Sequence, residues 1–304
     1  MIKNGVLQLK KLSIIFAVLI TLVLFSGCNS LPDETSLTTV KPQDLLDASN
    51  TLYVSIPSSV DPDFVYNMIQ KSVTNISPED AKTLSDKIDR VYAGIIKTRN
   101  STQIQAAINS RMPVKFIPKV LNIKNGWQTK DIECKEPFGK YKVYSQQNID
   151  LSFPSSNISL LGRGMDFMLN KYNYIYNLPE NTEVKFYSYR DDIYEWITET
   201  DKEIRFFTVA PKTYLGILTG DNLDLSLVDV KGSIRKDPDY ETAYLLDIHF
   251  NFKSEIKKKA GTALLKIAFG ISNAYVEEVP ENPCAVIFRN IQLPKERIYK
   301  LINF

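Results

Sequence analysis

One histidine, His249, and three cysteines, Cys28, Cys134 and Cys284, are the chain's whole supply of the residue types most metal and triad chemistry needs. A single histidine excludes HExxH and multi-histidine metal sites. No CxxC, P-loop or GxSxG occurs either, and the 12 glycines form no cluster that would cradle a phosphate. His249 lies in the run 244–252. Strand alternation there puts Leu246, Ile248, Phe250 and Phe252 on one face and Asp247, His249 and Asn251 on the other. Asp247 and His249 are spaced like two triad members, yet no serine is marked by an elbow, so the pair reads as a polar sheet face. Acidic groups at 221–224 and 237–241 superficially suggest calcium. They lack the sixth-position glycine of an EF-hand loop and fall where turns are expected. No catalytic residue, metal or cofactor is expected; a hydrolase using scattered carboxylates is the weakest of the options carried forward.

Two stretches have the composition of binding surfaces. Residues 172–196 carry Tyr172, Tyr174, Tyr176, Phe186, Tyr187, Tyr189, Tyr194 and Trp196. Aromatics with polar tips suit a protein or glycan partner, but core and strand packing is the stronger reading of them. Residues 254–271 form a helical stripe of Ile256, Ala260, Ala263, Leu264, Ile267, Ala268 and Ile271. Leu265 and Phe269 widen it, and Lys257, Lys258, Lys259 and Lys266 border it. That pattern fits a membrane-interface helix or a lid over a greasy cavity; burial against the sheet is the stronger reading.

The elements that would hold these residues alternate strand and helix. Leu52–Ile56 reads as a strand stopped by Pro57, and Asp61-Pro62 opens a helix with Phe64, Val65, Met68 and Ile69 on its apolar face. Ser77 caps a second helix that has acids in its first turn. Strands are expected over 90–97 and 102–109, then a proline-interrupted helical piece over 112–121. A meander follows over 127–134, 141–146, 149–153 and 158–161, and then a helix from Met165. Further on, a strand over 203–210 meets Pro211 and a helix. A hairpin spans 225–252, Ser254 caps the longest helix, and a strand over 285–293 ends at Pro294 before another helix. Residues 210–218 and 293–301 share Pro-Lys after a strand and a leucine at the same distance; residues 56–61 are a looser copy. The expectation is an α+β fold, a largely antiparallel sheet with helices packed on one face. Residues 51–304 would be the folded domain, with room for two similar halves, 51–180 and 181–304.

The chain has 304 residues, 44% hydrophobic and 24% charged, with a formal charge of +2. This is ordinary globular composition, and it lacks the basic excess that nucleic-acid binding usually leaves. Residues 1–11 hold Lys3, Lys10 and Lys11 and no acid, and 12–25 are apolar apart from Ser13 and Thr21. A run this short is a secretory signal, since a spanning helix needs roughly 20 apolar residues. Removing residues 1–27 takes three of the 37 basic residues and none of the 35 acidic ones, leaving the remainder essentially neutral.

Phe25-Ser26-Gly27-Cys28 resembles the lipobox of bacterial lipoprotein precursors: a bulky apolar residue, two small ones, then cysteine. The resemblance implies cleavage by signal peptidase II between Gly27 and Cys28. It also implies a diacylglycerol on the Cys28 thiol and acylation, as by palmitate, of its amine. Phe25 stands where leucine is commonest. Residues 28–50 would then be the lipidated cysteine and a polar tether. Asn29 is not the aspartate that retains some lipoproteins at the inner membrane, which leans the location toward the outer membrane. Once Cys28 is lipidated, Cys134 and Cys284 are left to form a disulfide in an oxidising compartment or to remain two separate thiols.

The start Leu52–Pro57, the Gly126-Trp127 pair, Phe153-Pro154-Ser155-Ser156 and the closing Leu293-Pro294 resemble a group of spirochaete-type bacterial lipoproteins. That likeness implies an exported, membrane-tethered domain without known catalysis, and no functional residues come with it. The expected function is therefore a non-catalytic binding or interaction module of the cell envelope, held to the membrane by lipid. A carrier or sensor of hydrophobic ligands is the alternative, and nucleic acid is not an expected partner.

Overall fold

The structure, a computed structural model of the chain, describes residues 40–72, 76–97, 102–146, 149–179, 182, 190–219, 225–269 and 275–302. All lie within one compact unit, Ser36–Phe304. Its frame is a twelve-stranded antiparallel sheet. The strands are β1 Leu52–Pro57, β2 Ile88–Lys97, β3 Thr102–Ser110, β4 Gln128–Cys134, β5 Gly139–Gln146 and β6 Ile149–Ser152, then β7 Ile158–Gly162, β8 Ile204–Thr208, β9 Leu227–Lys236, β10 Ala243–Phe252, β11 Tyr275–Glu278 and β12 Ala285–Pro294. They are ordered β11-β12-β10-β9-β8-β1-β2-β3-β7-β6-β5-β4. The expected α+β class and antiparallel sheet are what the chain forms.

β1 is central and buried along all six residues, as a strand covered on both faces must be. Leu52, Val54 and Ile56 point into one core, and Tyr53 points into another. Its partners fix the register: Val54 lies opposite Ala93 on β2 and Phe206 on β8. Strands drawn from residues before 180 lie on the β2 side of β1, and those from residues after 200 lie on the β8 side.

Helices α1 Pro62–Ser72, α2 Pro78–Ser85, α3 Ile117–Val120, α4 Met165–Tyr176, α5 Asp191–Thr198, α6 Pro211–Thr219, α7 Glu255–Ala268 and α8 Lys295–Ile302 cover the sheet. Ser77 caps α2 by accepting from the Asp80 amide, as its position before two acids anticipates. Phe64 and Val65 of α1, Tyr214 and Leu215 of α6, Leu265 of α7 and Ile298 of α8 enter the first core beside Ile95, Phe206, Phe250 and Phe288. Most helices thus share one face, including all three that follow the strand–proline units. The other face carries α4 and α5, whose Met168, Leu169, Ile193 and Ile197 pack with Tyr53, Val143 and Phe207. A third, smaller core of Ile117, Leu121, Trp127 and Tyr144 lies beneath α3.

The tether expected over 28–50 is corrected from Val40 onward. Leu45 is fully buried and Val40, Gln43, Asp44, Leu46 and Asn50 nearly so. The 3-10 turn Pro42–Leu45 lies in the second core, fastened by Gln43 Nε2 donating to Tyr194 Oη at 2.9 Å and Tyr53 Oη donating to the Asp47 carbonyl at 2.9 Å. Packing in the second core and a bond to Tyr194, 151 residues away, account for why a polar stretch is ordered.

Candidate membrane-contact face

α7 begins where Ser254 accepts from the Lys257 amide and runs to Ala268. It rests on the sheet along a narrow seam of Lys258, Gly261 and Leu265, the three residues of the helix that are buried. The seam is close-fitting. A Cβ on Gly261 would fall 2.2 Å from the Phe252 ring, so only glycine lets the helix backbone come this near. Lys258, itself buried, forms an ion pair with the exposed Glu278 of β11. Beyond the last turn, Phe269 meets Phe288 at 6.4 Å between centroids.

The opposite side is apolar as well, and it faces water. Ile256 is 80% exposed, Ile267 76% and Leu264 48%, and Ala260 and Ala263 between them are also exposed. At about 100° per residue these five fall within an arc of roughly 100°. Lys257 lies on one flank of that arc, and Lys259 and Lys266 lie on the other, all exposed. Lys259 also pairs with Glu255 one turn back at 3.2 Å. Long stems with charged tips, set beside an apolar stripe, suit a surface whose interior is greasy and whose border is polar. Burial of this stripe against the sheet is therefore corrected: the seam holds the helix and leaves the stripe free. Ile271, expected in the stripe, lies outside the described residues.

The other expected sites fare differently. Phe25, Ser26, Gly27 and Cys28 lie outside the described residues, as do Tyr187 and Tyr189. Tyr172 is buried, stacked on Tyr176 at 5.7 Å and edge-on to Tyr141 at 5.7 Å. Trp196 is packed against the second core, with the Arg205 guanidinium 3.9 Å over its ring. Among the described members Tyr174 is the exposed one, and Tyr172, Tyr176 and Trp196 pack in or against the second core. The disulfide is corrected too. Cys134 and Cys284 are both free thiols. Cys134 ends β4 at one edge of the sheet, and Cys284 precedes β12 near the other, ten strand spacings of about 4.8 Å away.

Asp247 and His249 share the polar face of β10 but are not coupled. Asp247 is taken by Arg235 and Arg289, each at 3.4 Å, and by the Asn290 amide at 2.8 Å. His249 lies across from Lys231 of β9. Burial, with Lys231 and Arg289 nearby, pushes its pKa down, and Asp229 offsets this in part. Asp237 shapes its own turn, accepting from the Asp239 amide at 2.9 Å and from Gln292 at 2.7 Å. Among the described residues no three such ligands gather to hold a metal. An apolar cavity between α6 and the sheet, lined by Leu52, Phe206, Tyr214, Leu215 and Val230 among others, holds about 10 Å3, room for one water. No described helix is long and apolar enough to cross a membrane.

The sequence pattern over residues 38–299 matches the family model "Outer membrane-associated lipoprotein TP0453". The chain belongs to the TP0453 family. This spirochaete family is one of outer membrane-associated lipoproteins, and the chain shares that location. Crystal form I of TP0453 superposes with a TM-score of 0.64 at 15% identity, covering 87% of this chain and 97% of that one. Forms III and IV give 0.62 and 0.58, also at 15% identity, covering 87% and 88% of this chain and 98% of TP0453. At that identity the likeness to TP0453 is one of fold. Among curated proteins none matches.

Lys258 is the residue whose role the sequence pattern missed. Its type matches the bordering lysines, but two positions after Ile256 it falls on the far side of a helix.

Proposed function

We propose that the protein is a non-catalytic envelope lipoprotein whose folded domain lays α7 on the lipid surface to which Cys28 anchors it. The observation that carries this reading is the outward stripe of Ile256, Leu264 and Ile267 between lysine flanks. Membership of an outer membrane-associated lipoprotein family supports it. Fully burying one such side chain contributes roughly 1.5–3 kcal/mol, so three partly immersed ones add several kcal/mol. Acyl chains on Cys28 contribute ~0.8 kcal/mol for each buried CH2. The anchor would then keep the protein at the membrane while the helix sets which side of the domain faces it. A carrier needs an apolar cavity of some hundreds of Å3, and the cavity under α6 gives that reading no support.

The test is vesicle flotation of the unlipidated chain from Asn29, which retains the whole compact unit. The chain should float with vesicles, and Ile256→Glu/Ile267→Glu should lower its partition on the order of tenfold or more, since 1.4 kcal/mol is a factor of ten. Equal flotation of the double variant, still folded by circular dichroism, would remove α7 from the membrane.

A further inference from the structure

A second apolar point stands out from the surface far from α7 in the strand order. Residues 112–130 contain four lysines and no acidic residue. Ile117 and Leu121 turn into the third core with Trp127 and Tyr144, while Val120 is 42% exposed and Ile123 82%. Ile123 is thus as bare as Ile256, the most exposed of the large apolar residues on α7.

The turn that presents it is built to hold it there. Asn122 Nδ2 donates to the Lys119 carbonyl at 2.6 Å, and its Oδ1 accepts from the Asn125 amide at 3.2 Å. Asn125 Nδ2 donates to the Val120 carbonyl at 2.7 Å, and Gln146 Nε2 donates to the Asn125 carbonyl at 3.1 Å. Gly126, at φ +80°, closes the 3-10 turn Ile123–Asn125. Lys115, Lys119 and Lys124, in the same stretch of chain, are exposed as well. Phe153 packs against both the first and third cores, so this knuckle rises from the same sheet face as α7.

We propose that Val120 and Ile123, with the exposed Lys115, Lys119 and Lys124 of the same stretch, form a second membrane-contact site that selects an anionic lipid surface. The inference rests on the reading of α7 as lipid-facing. Charge complementarity names the occupant: a lysine-rich stretch with no acid in its sequence is drawn to anionic headgroups. The apolar tip fits the acyl boundary just beneath those headgroups. Because the hydrogen-bonded turn is already in its binding shape, little ordering is needed on contact.

The experiment compares flotation of the unlipidated chain on vesicles of phosphatidylcholine alone and of equal parts phosphatidylcholine and phosphatidylglycerol. The wild type should prefer the anionic vesicles and lose that preference as salt is raised. Ile123→Asp, and separately Lys119→Glu/Lys124→Glu, should each lower partition on anionic vesicles by about tenfold. The lysine pair should change little on neutral vesicles, whereas Ile256→Glu/Ile267→Glu should weaken binding to both. If both knuckle variants keep wild-type partition while the α7 variant does not, the knuckle site is overturned and the α7 reading stands. An acidic protein as the true occupant would give that same result. If none of the variants changes partition, both readings fall.

Discussion

His249 shows what a single titratable side chain does when a sheet half-covers it. Its imidazole is held below the ordinary value of 6.5 by burial first, then by Lys231 and Arg289. The folded protein therefore prefers the neutral ring, and the unfolded chain binds more protons once the pH falls below that value. Stability must then rise with pH through this window and be lost as the medium is acidified from pH 7 toward 5. His249→Gln removes the titration, and we expect its urea midpoint to fall less between pH 7 and pH 5 than the wild type's. An identical fall in the two proteins would mean that the ring is not the titrating group. The alternation that places His249 opposite the core was legible in residues 244–252. The partners of Asp247 were not, because Arg235 and Arg289 arrive from β9 and β12, and no local pattern records cross-strand register.

α7 has two apolar sides with different duties, and solution stability separates them. Leu265 is wholly buried in the seam, whereas Ile267, two positions on, is almost wholly exposed. Leu265→Ala should destabilise the fold by about 2–4 kcal/mol, as buried leucine truncations do. Ile267→Ser should change stability by no more than about 0.5 kcal/mol. Denaturant melts of the two variants would show this split, and equal losses would mean that the stripe is packed after all. Ala268 of the stripe is half-buried, but existence of the helix, its Ser254 cap and the exposed stripe members Ile256, Ala260, Ala263, Leu264 and Ile267 could be read from residue types. Which stripe faces the sheet could not, since that depends on Phe252 lying over Gly261 and on Glu278 receiving Lys258. α5 escaped notice for a related reason. Its Ile193 and Ile197 have helical spacing, but Tyr194 and Trp196 between them looked like part of a contact surface.

At the scale of the molecule, one antiparallel sheet carries a core on each face, and β1 joins the strands drawn from the two ends of the sequence. The segment Val40–Asn50 belongs to that body and not to a loose leash, because Leu45 and Leu46 are seated in the second core. An anchor at Cys28 would then pull on ordered structure within twelve residues, a reach of at most about 43 Å even when fully extended. α7 and the knuckle around Ile123 stand on the face away from that segment. On the proposed reading, the domain's posture at the membrane would be set by how these apolar points and the anchor meet one lipid surface. The most direct test is a single environment-sensitive fluorophore on Leu264→Cys, with Cys134→Ala and Cys284→Ala, in the lipidated protein on vesicles. Blue-shifted emission, quenched by lipids brominated along the acyl chains, is the predicted result. Emission that stays water-like and unquenched while the protein is membrane-bound would contradict the account.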